Sequence, residues 1–247
     1  MKYFIGNWKM FGVPKSINIL KKINDFYKKD VNRNKYKVII TPPYTLIENY
    51  SKYFKNKKIF IGSQNCYQKD IFSSNTAAIS PYMIKSVGAK FTLVGHSDNR
   101  SEGDTDLMLK NKVSLALRNN LKVVYCIGEN KIDKRNNKTF SVLKKQLSRV
   151  LDRKLNKKNI IIAYEPVWSI GTGKIPTKTE LNKTIIYIKK VLKGIFKKKN
   201  ISVLYGGSVD GNTVGVFKEI KEIDGFLIGG ASKSSKKFID IIKNYYR

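Results

Sequence analysis

Eight short, continuously apolar runs recur along the chain: YFIGN (3–7), VII (38–40), IFIG (59–62), FTLVG (91–95), VVYCIG (123–128), IIIAYE (160–165), SVLYGG (202–207) and GFLIGG (225–230). A strand with one wet face alternates polar and apolar residues. These do not alternate, so both faces are buried, as in a parallel sheet covered by helices. The segments between them carry helical spacing. Leu181, Ile185, Ile188, Leu192 and Ile195 form one apolar stripe, and Phe238, Ile241, Ile242 and Tyr245 another. Helix starts are marked too. Ser80-Pro81 offers an N-cap followed by proline at the first helical position, and Thr177 with Glu180 offers a capping box. Eight strands alternating with helices over 247 residues have the rhythm of an α/β fold of the (β/α)8 barrel type, a single domain over residues 1–247. A doubly wound open sheet is the alternative from pattern alone. No linker or low-complexity tract interrupts the rhythm.

The charge is extreme. There are 49 Lys and Arg against 18 Asp and Glu, a net charge of +31. One reading is a nucleic-acid or anionic-membrane binder. The other is compositional drift, since Lys, Asn, Ile, Tyr and Phe are all plentiful and all have AT-rich codons. From the second run on, no apolar run contains Lys or Arg. The basic load therefore sits on helices and loops, including KGIFKKKN (193–200), which reads as a solvated helix end. A diffuse coat of this kind argues for drift and against nucleic acid, which would call for a basic stripe with interleaved aromatics. No apolar run approaches the ~18 residues of a membrane span. The N-terminus enters MKYFIGNWKM with no signal-peptide layout. Two cysteines, Cys66 and Cys126, make a poor disulfide framework, and with one histidine they make a poor zinc site. The expected location is the cytoplasm.

One basic residue breaks the pattern. Lys9 lies two residues past the first run, and a residue there points toward the mouth of a barrel, where barrel sites are built. Other strand ends carry chemistry as well. Asn7 closes the first, His96, the only histidine, follows the fourth, and Glu165 ends the sixth. Gly206-Gly207 and Gly229-Gly230 follow the last two, where barrels bind phosphate through backbone N–H groups. Each has a bland reading by itself: a structural histidine, a solvated glutamate, a tight turn. Their joint position on one rim favours a site. No P-loop or dinucleotide fingerprint is present.

The motifs GNWKM (6–10), GHS (95–97), YCIGE (125–129), AYEPVWSIGTGK (163–174), YGGSV (205–209) and GG (229–230) resemble those of triosephosphate isomerase, in that family's order and over nearly the whole chain. The resemblance implies interconversion of dihydroxyacetone phosphate and glyceraldehyde 3-phosphate, a step of glycolysis and gluconeogenesis, with no cofactor or metal. Glu165 would move the carbon-bound proton. His96 would act as a neutral electrophile toward the substrate carbonyl, and Lys9 would supply fixed positive charge. Asn7 would add a neutral donor. Gly171, Ser208, Gly229 and Gly230 would cradle the phosphate, with Asn7 and Lys9 also touching substrate. Residues 166–176 would be a lid that shuts water out, because a carboxylate is a weak base when well hydrated. The family pattern also implies a homodimer.

The sequence departs from the pattern in places. Asp98 stands where the family has glutamate and should reach toward Lys9 less closely. Asn99 replaces an arginine, and SEGDTD (101–106) is one residue short. The third loop, SSNTAAIS (73–80), keeps Thr76 but lacks an aromatic at Asn75 and an acid at Ala78. Ser169 replaces a common alanine, and Pro176 sits in the C-terminal lid hinge. Two other readings remain in view: a barrel that keeps the site but serves as a basic nucleic-acid-binding or scaffold protein, and a different barrel enzyme acting on a sugar phosphate.

Overall fold

The computed structural model describes residues 1–197 and 201–247, so the last three residues of the basic run 193–200 lie outside the described part. Each apolar run forms a strand: β1 (Lys2–Asn7), β2 (Tyr36–Thr41), β3 (Ile59–Ser63), β4 (Phe91–Val94), β5 (Lys122–Ile127), β6 (Ile160–Tyr164), β7 (Ser202–Tyr205) and β8 (Gly225–Ile228). All neighbours are parallel and pair in chain order, and β8 returns to β1 through Tyr3↔Gly225 to Gly6↔Ile228. The sheet is a closed barrel, which removes the open doubly wound alternative.

Alternation along the strands divides the core in two. Ile5, Ile39, Leu93, Val124, Ile161, Ala163 and Leu204 belong to one buried cluster, the filling of the barrel. The residues between them, such as Phe4, Val38, Ile40, Val123 and Ile162, pack outward against the helices in a second and larger cluster. Two apolar layers back to back explain why the strands read as unbroken hydrophobic runs.

The helices are α1 (Ile17–Lys29), α2 (Tyr44–Phe54), α3 (Pro81–Ser86), α4 (Ser97–Ser101), α5 (Asp106–Arg118), α6 (Lys131–Arg135), α7 (Thr139–Val150), α8 (Lys178–Phe196), α9 (Val214–Lys218) and α10 (Ser235–Tyr246). The expected caps form. The Ser80 side chain accepts from Met83 N–H before Pro81, and Thr177 and Glu180 make a reciprocal capping box at the head of α8. Leu181, Ile185, Ile188 and Leu192 are buried, whereas Ile195 is only partly so and Phe196 takes the buried place. The α10 stripe is buried at all four positions.

Candidate active site

Strand register brings the rim residues together. Ile127 pairs with Tyr164 and Tyr164 with Tyr205, which sets Glu165 between the turns that follow β5 and β7. Gly6 pairs with Ile228, which sets Asn7 beside Gly229. Asn7, Lys9, His96, Glu165, Gly171, Ser208, Gly229 and Gly230 all line one cavity of about 460 Å³ at the C-terminal ends of the strands. The eight residues named from the sequence therefore converge.

Glu165 follows β6 directly and is almost wholly buried, its N–H bonded to Ile127 O at 2.7 Å. One carboxylate oxygen, Oε1, lies 3.5 Å from His96 Nε2. The other, Oε2, is buried and has no hydrogen-bond partner among the described residues. A buried acceptor left open at the cavity wall is suited to taking a proton from a bound molecule. Gly206 makes room for it, since a Cβ there would stand 2.6 Å from Glu165 Cγ. The Cys126 thiol lies close by inside the barrel. Burial, and then the Glu165 carboxylate, hold its pKa well above the usual range, so it remains a neutral thiol.

His96 caps α4. Its Nδ1 accepts the Asp98 N–H at 3.1 Å, which assigns the proton of a neutral ring to Nε2, the nitrogen that faces Glu165. Lys9 sits in the left-handed region at φ 53°, uncommon for a residue with a side chain. Three bonds hold it there. Its N–H donates to Asn7 Oδ1 at 3.0 Å, its carbonyl accepts from Gln64 Nε2 at 2.8 Å, and its ammonium pairs with Asp98 Oδ2 at 3.1 Å. The shorter Asp98 carboxylate still reaches Lys9, at an ordinary ion-pair distance.

On the opposite wall, Gly229 precedes a short 3-10 turn over Gly230–Lys233, whose first N–H groups have no partners within the turn. Gly171 and Gly173 take φ of 69° and 73° in the loop after β6. That loop rests on the turn after β7: the Ser208 hydroxyl accepts from Gly173 N–H at 3.1 Å and donates to Ser169 O at 2.7 Å. With its hydroxyl engaged in this way, Ser208 offers the cavity chiefly its backbone. At the other end of the loop, Glu129 Oε1 accepts from Trp168 Nε1 at 2.8 Å and from Tyr164 OH at 3.2 Å. Burial raises the Glu129 pKa against the pull of those donors.

The model of the triosephosphate isomerase family matches residues 2–245. The chain belongs to the triosephosphate isomerase family. It is 34% identical over 246 residues to a triosephosphate isomerase of Leptospira interrogans, covering 96% of this chain and 97% of the relative. It is 37% identical over 248 residues to that of the yeast Debaryomyces hansenii, covering 98% of each. A crystal structure of triosephosphate isomerase from Bartonella henselae superposes with a TM-score of 0.90 at 30% identity, covering 100% of this chain and 99% of that one. As a member of the triosephosphate isomerase family the chain is an isomerase, and the nucleic-acid reading of its charge gains no support from these relatives. Among the described residues no helix is long and apolar enough to cross a membrane.

Several residues around the site carried no role in the sequence. Glu129 lies within a quoted motif, yet nothing local shows that it holds Trp168. Gln64 and Arg100 had no signal. Arg100 bonds to Gly95 O, Tyr125 OH and Cys126 O and so braces the turn that presents His96. Lys237 also lines the cavity, hidden in sequence among many other lysines.

Proposed function

We propose that the chain, as one barrel domain over residues 1–247, interconverts dihydroxyacetone phosphate and glyceraldehyde 3-phosphate through an enediolate, in glycolysis and gluconeogenesis. The phosphate lies against Gly171, Ser208, Gly229 and Gly230, with Asn7 and Lys9 beside it. Glu165 Oε2 removes the proton from the carbon next to the carbonyl. His96 Nε2–H donates to the carbonyl oxygen as negative charge grows there, and Lys9 adds fixed positive charge. Glu165 then returns the proton to the neighbouring carbon. The observation that carries this reading is the buried, unpartnered Glu165 Oε2, in a carboxylate 3.5 Å from Nε2 of a histidine whose Nδ1 accepts the Asp98 N–H.

The chain works as a homodimer in the cytoplasm on this reading. In support, Met10, after β1, is 100% exposed and Phe72, just before the third loop, 74%, with Tyr82 and Met83 of α3 also open. These apolar side chains belong to the loops and helix next to Lys9 and Gln64. The test is a coupled assay of purified protein with glyceraldehyde 3-phosphate, with sedimentation in parallel. Turnover without added metal and a dimer mass are expected. A protein that binds triose phosphate without isomerising it would overturn the functional reading.

A further inference from the structure

Ser169 stands out at the foot of the loop that shuts the cavity. Residues 171–174 are exposed, yet Ser169 is fully buried. Its hydroxyl donates to Lys174 O at 2.5 Å and lies 3.0 Å from Tyr205 OH. Because its one proton goes to Lys174, the Tyr205 hydroxyl must be the donor of the second bond. Ser208 N–H lies 3.4 Å from the same oxygen. One donor and two acceptor positions are all a serine has, and all three are in use. The hydroxyl therefore ties the outgoing stem of the loop to its returning stem, and both to β7.

The β7 partner is rigid. Tyr205 is fully buried with its ring against Phe217, centroids 4.7 Å apart. Burial pushes its phenol up to about 12, so it stays an O–H donor across the physiological range. If the loop lifted, Ser169 would leave with it and the buried Tyr205 hydroxyl would lose its acceptor. A buried donor without a partner is costly, so the bond favours the shut arrangement.

We propose that the Ser169 hydroxyl is a positioning group of the isomerase, a clasp that holds the lid shut by joining its two stems to Tyr205. This rests on the reading of residues 166–176 as the lid over Glu165. While the lid is shut, water stays away from the carboxylate and the enediolate keeps its phosphate. When it opens early, the electron pair of the enediolate can expel phosphate. The carbon–oxygen bond breaks, inorganic phosphate leaves, and the enol that remains takes up a proton at carbon to become methylglyoxal.

The test uses full-length protein carrying Ser169→Ala, Tyr205→Phe, or both. Two readouts are needed. The first is trypsin cleavage after the exposed Lys174, followed by mass spectrometry, which reports the clasp whatever the activity. The second is methylglyoxal formed per isomerisation, read beside kcat and KM. Loss of one such bond is expected to speed cleavage at Lys174 and raise methylglyoxal per turnover, each on the order of tenfold. The double variant should match the worse single variant rather than multiply the two, since both act through one contact. Cleavage at the wild-type rate in Ser169→Ala overturns the proposal, as does a lowered melting temperature with unchanged cleavage and elimination. If the variants open the lid but the wild-type protein does not isomerise, the clasp stands and the functional reading falls.

Discussion

Glu165→Asp is the perturbation whose size the structure best defines. The Glu165 carboxylate reaches the cavity with Oε1 3.5 Å from His96 Nε2 and Oε2 open. Aspartate keeps the charge and the backbone position but withdraws both oxygens by ~1 Å, a misplacement that costs on the order of 10²-fold in rate. No neighbour moves in to compensate, because the adjoining position is Gly206, whose missing Cβ is what leaves room for the longer side chain. The loss corresponds to about 2.8 kcal/mol of transition-state stabilisation. It should fall on kcat. The groups assigned to the phosphate are untouched, so KM should stay close to the wild-type value. Steady-state coupled assays in both directions would measure it. Near wild-type kcat in the aspartate variant would refute the reasoning, as would a raised KM with unchanged kcat.

Three further outcomes follow from other parts of the molecule. Lys112 and Asp104 form an almost wholly buried ion pair at 2.7 and 2.8 Å, with Asn65 Oδ1 at 3.1 Å from the same ammonium. Asp104→Ala strands that charge and should cost ~3–5 kcal/mol, a fall of roughly 6–20 °C in melting temperature by calorimetry. The paired change Asp104→Leu with Lys112→Met should recover most of it. Thr177→Ala removes the cap of α8 and should cost about 1 kcal/mol in denaturant titrations at neutral pH. The Thr177 N–H, first, and then Lys134 hold the Glu180 pKa below its ordinary value. That contribution is present above the ordinary glutamate value and is lost as pH falls through the lowered one, but the variant keeps both the residue-177 N–H and Lys134, so both proteins should lose it in acid and the gap between them should largely persist. Each copy of the chain carries a net charge of +31, which opposes association in the proposed homodimer, and the Debye length is ~30 Å at 0.01 M salt and ~8 Å at 0.15 M. Sedimentation should accordingly show more monomer at 10 mM than at 150 mM salt, while substrate capture per remaining dimer speeds up. A dissociation constant indifferent to salt would mean the coat lies away from the interface.

The parallel strands were legible because burial on both faces leaves short unbroken apolar runs, though the pattern alone fitted an open sheet as well as a closed barrel. All eight runs became strands, with ends moved by a residue or two, as Lys2 and Tyr36 joined β1 and β2. The helix stripes were legible for the same reason, and Ile195 yielded to Phe196 only where α8 ends. Asn7, Lys9, His96, Glu165, Gly229 and Gly230 could be named because strand ends of a barrel share one rim, whereas Gly171 and Ser208 came only from the family resemblance. What could not be read were contacts fixed by register between distant residues. Gln64 holds Lys9 across 55 positions, Glu129 holds Trp168 across 39, and Ser169 meets Tyr205 across 36. Asp98 still reaches Lys9 with its shorter side chain, and Lys9 itself takes a left-handed backbone angle. A backbone angle of that kind has no marker in the residues themselves when the position is not glycine.

The central claim is that Glu165 carries a proton between neighbouring carbons. It is tested most directly by converting dihydroxyacetone phosphate in D2O and trapping the glyceraldehyde 3-phosphate at once by oxidation. A proton held on a carboxyl group exchanges with solvent while the enediolate waits. The account predicts deuterium at C2 of the trapped product, at a rate that collapses in Glu165→Asp along with turnover. A product free of deuterium, formed as fast by Glu165→Asp as by the wild type, would mean that hydrogen passes from carbon to carbon without the carboxylate, and the role given to Glu165 would be wrong.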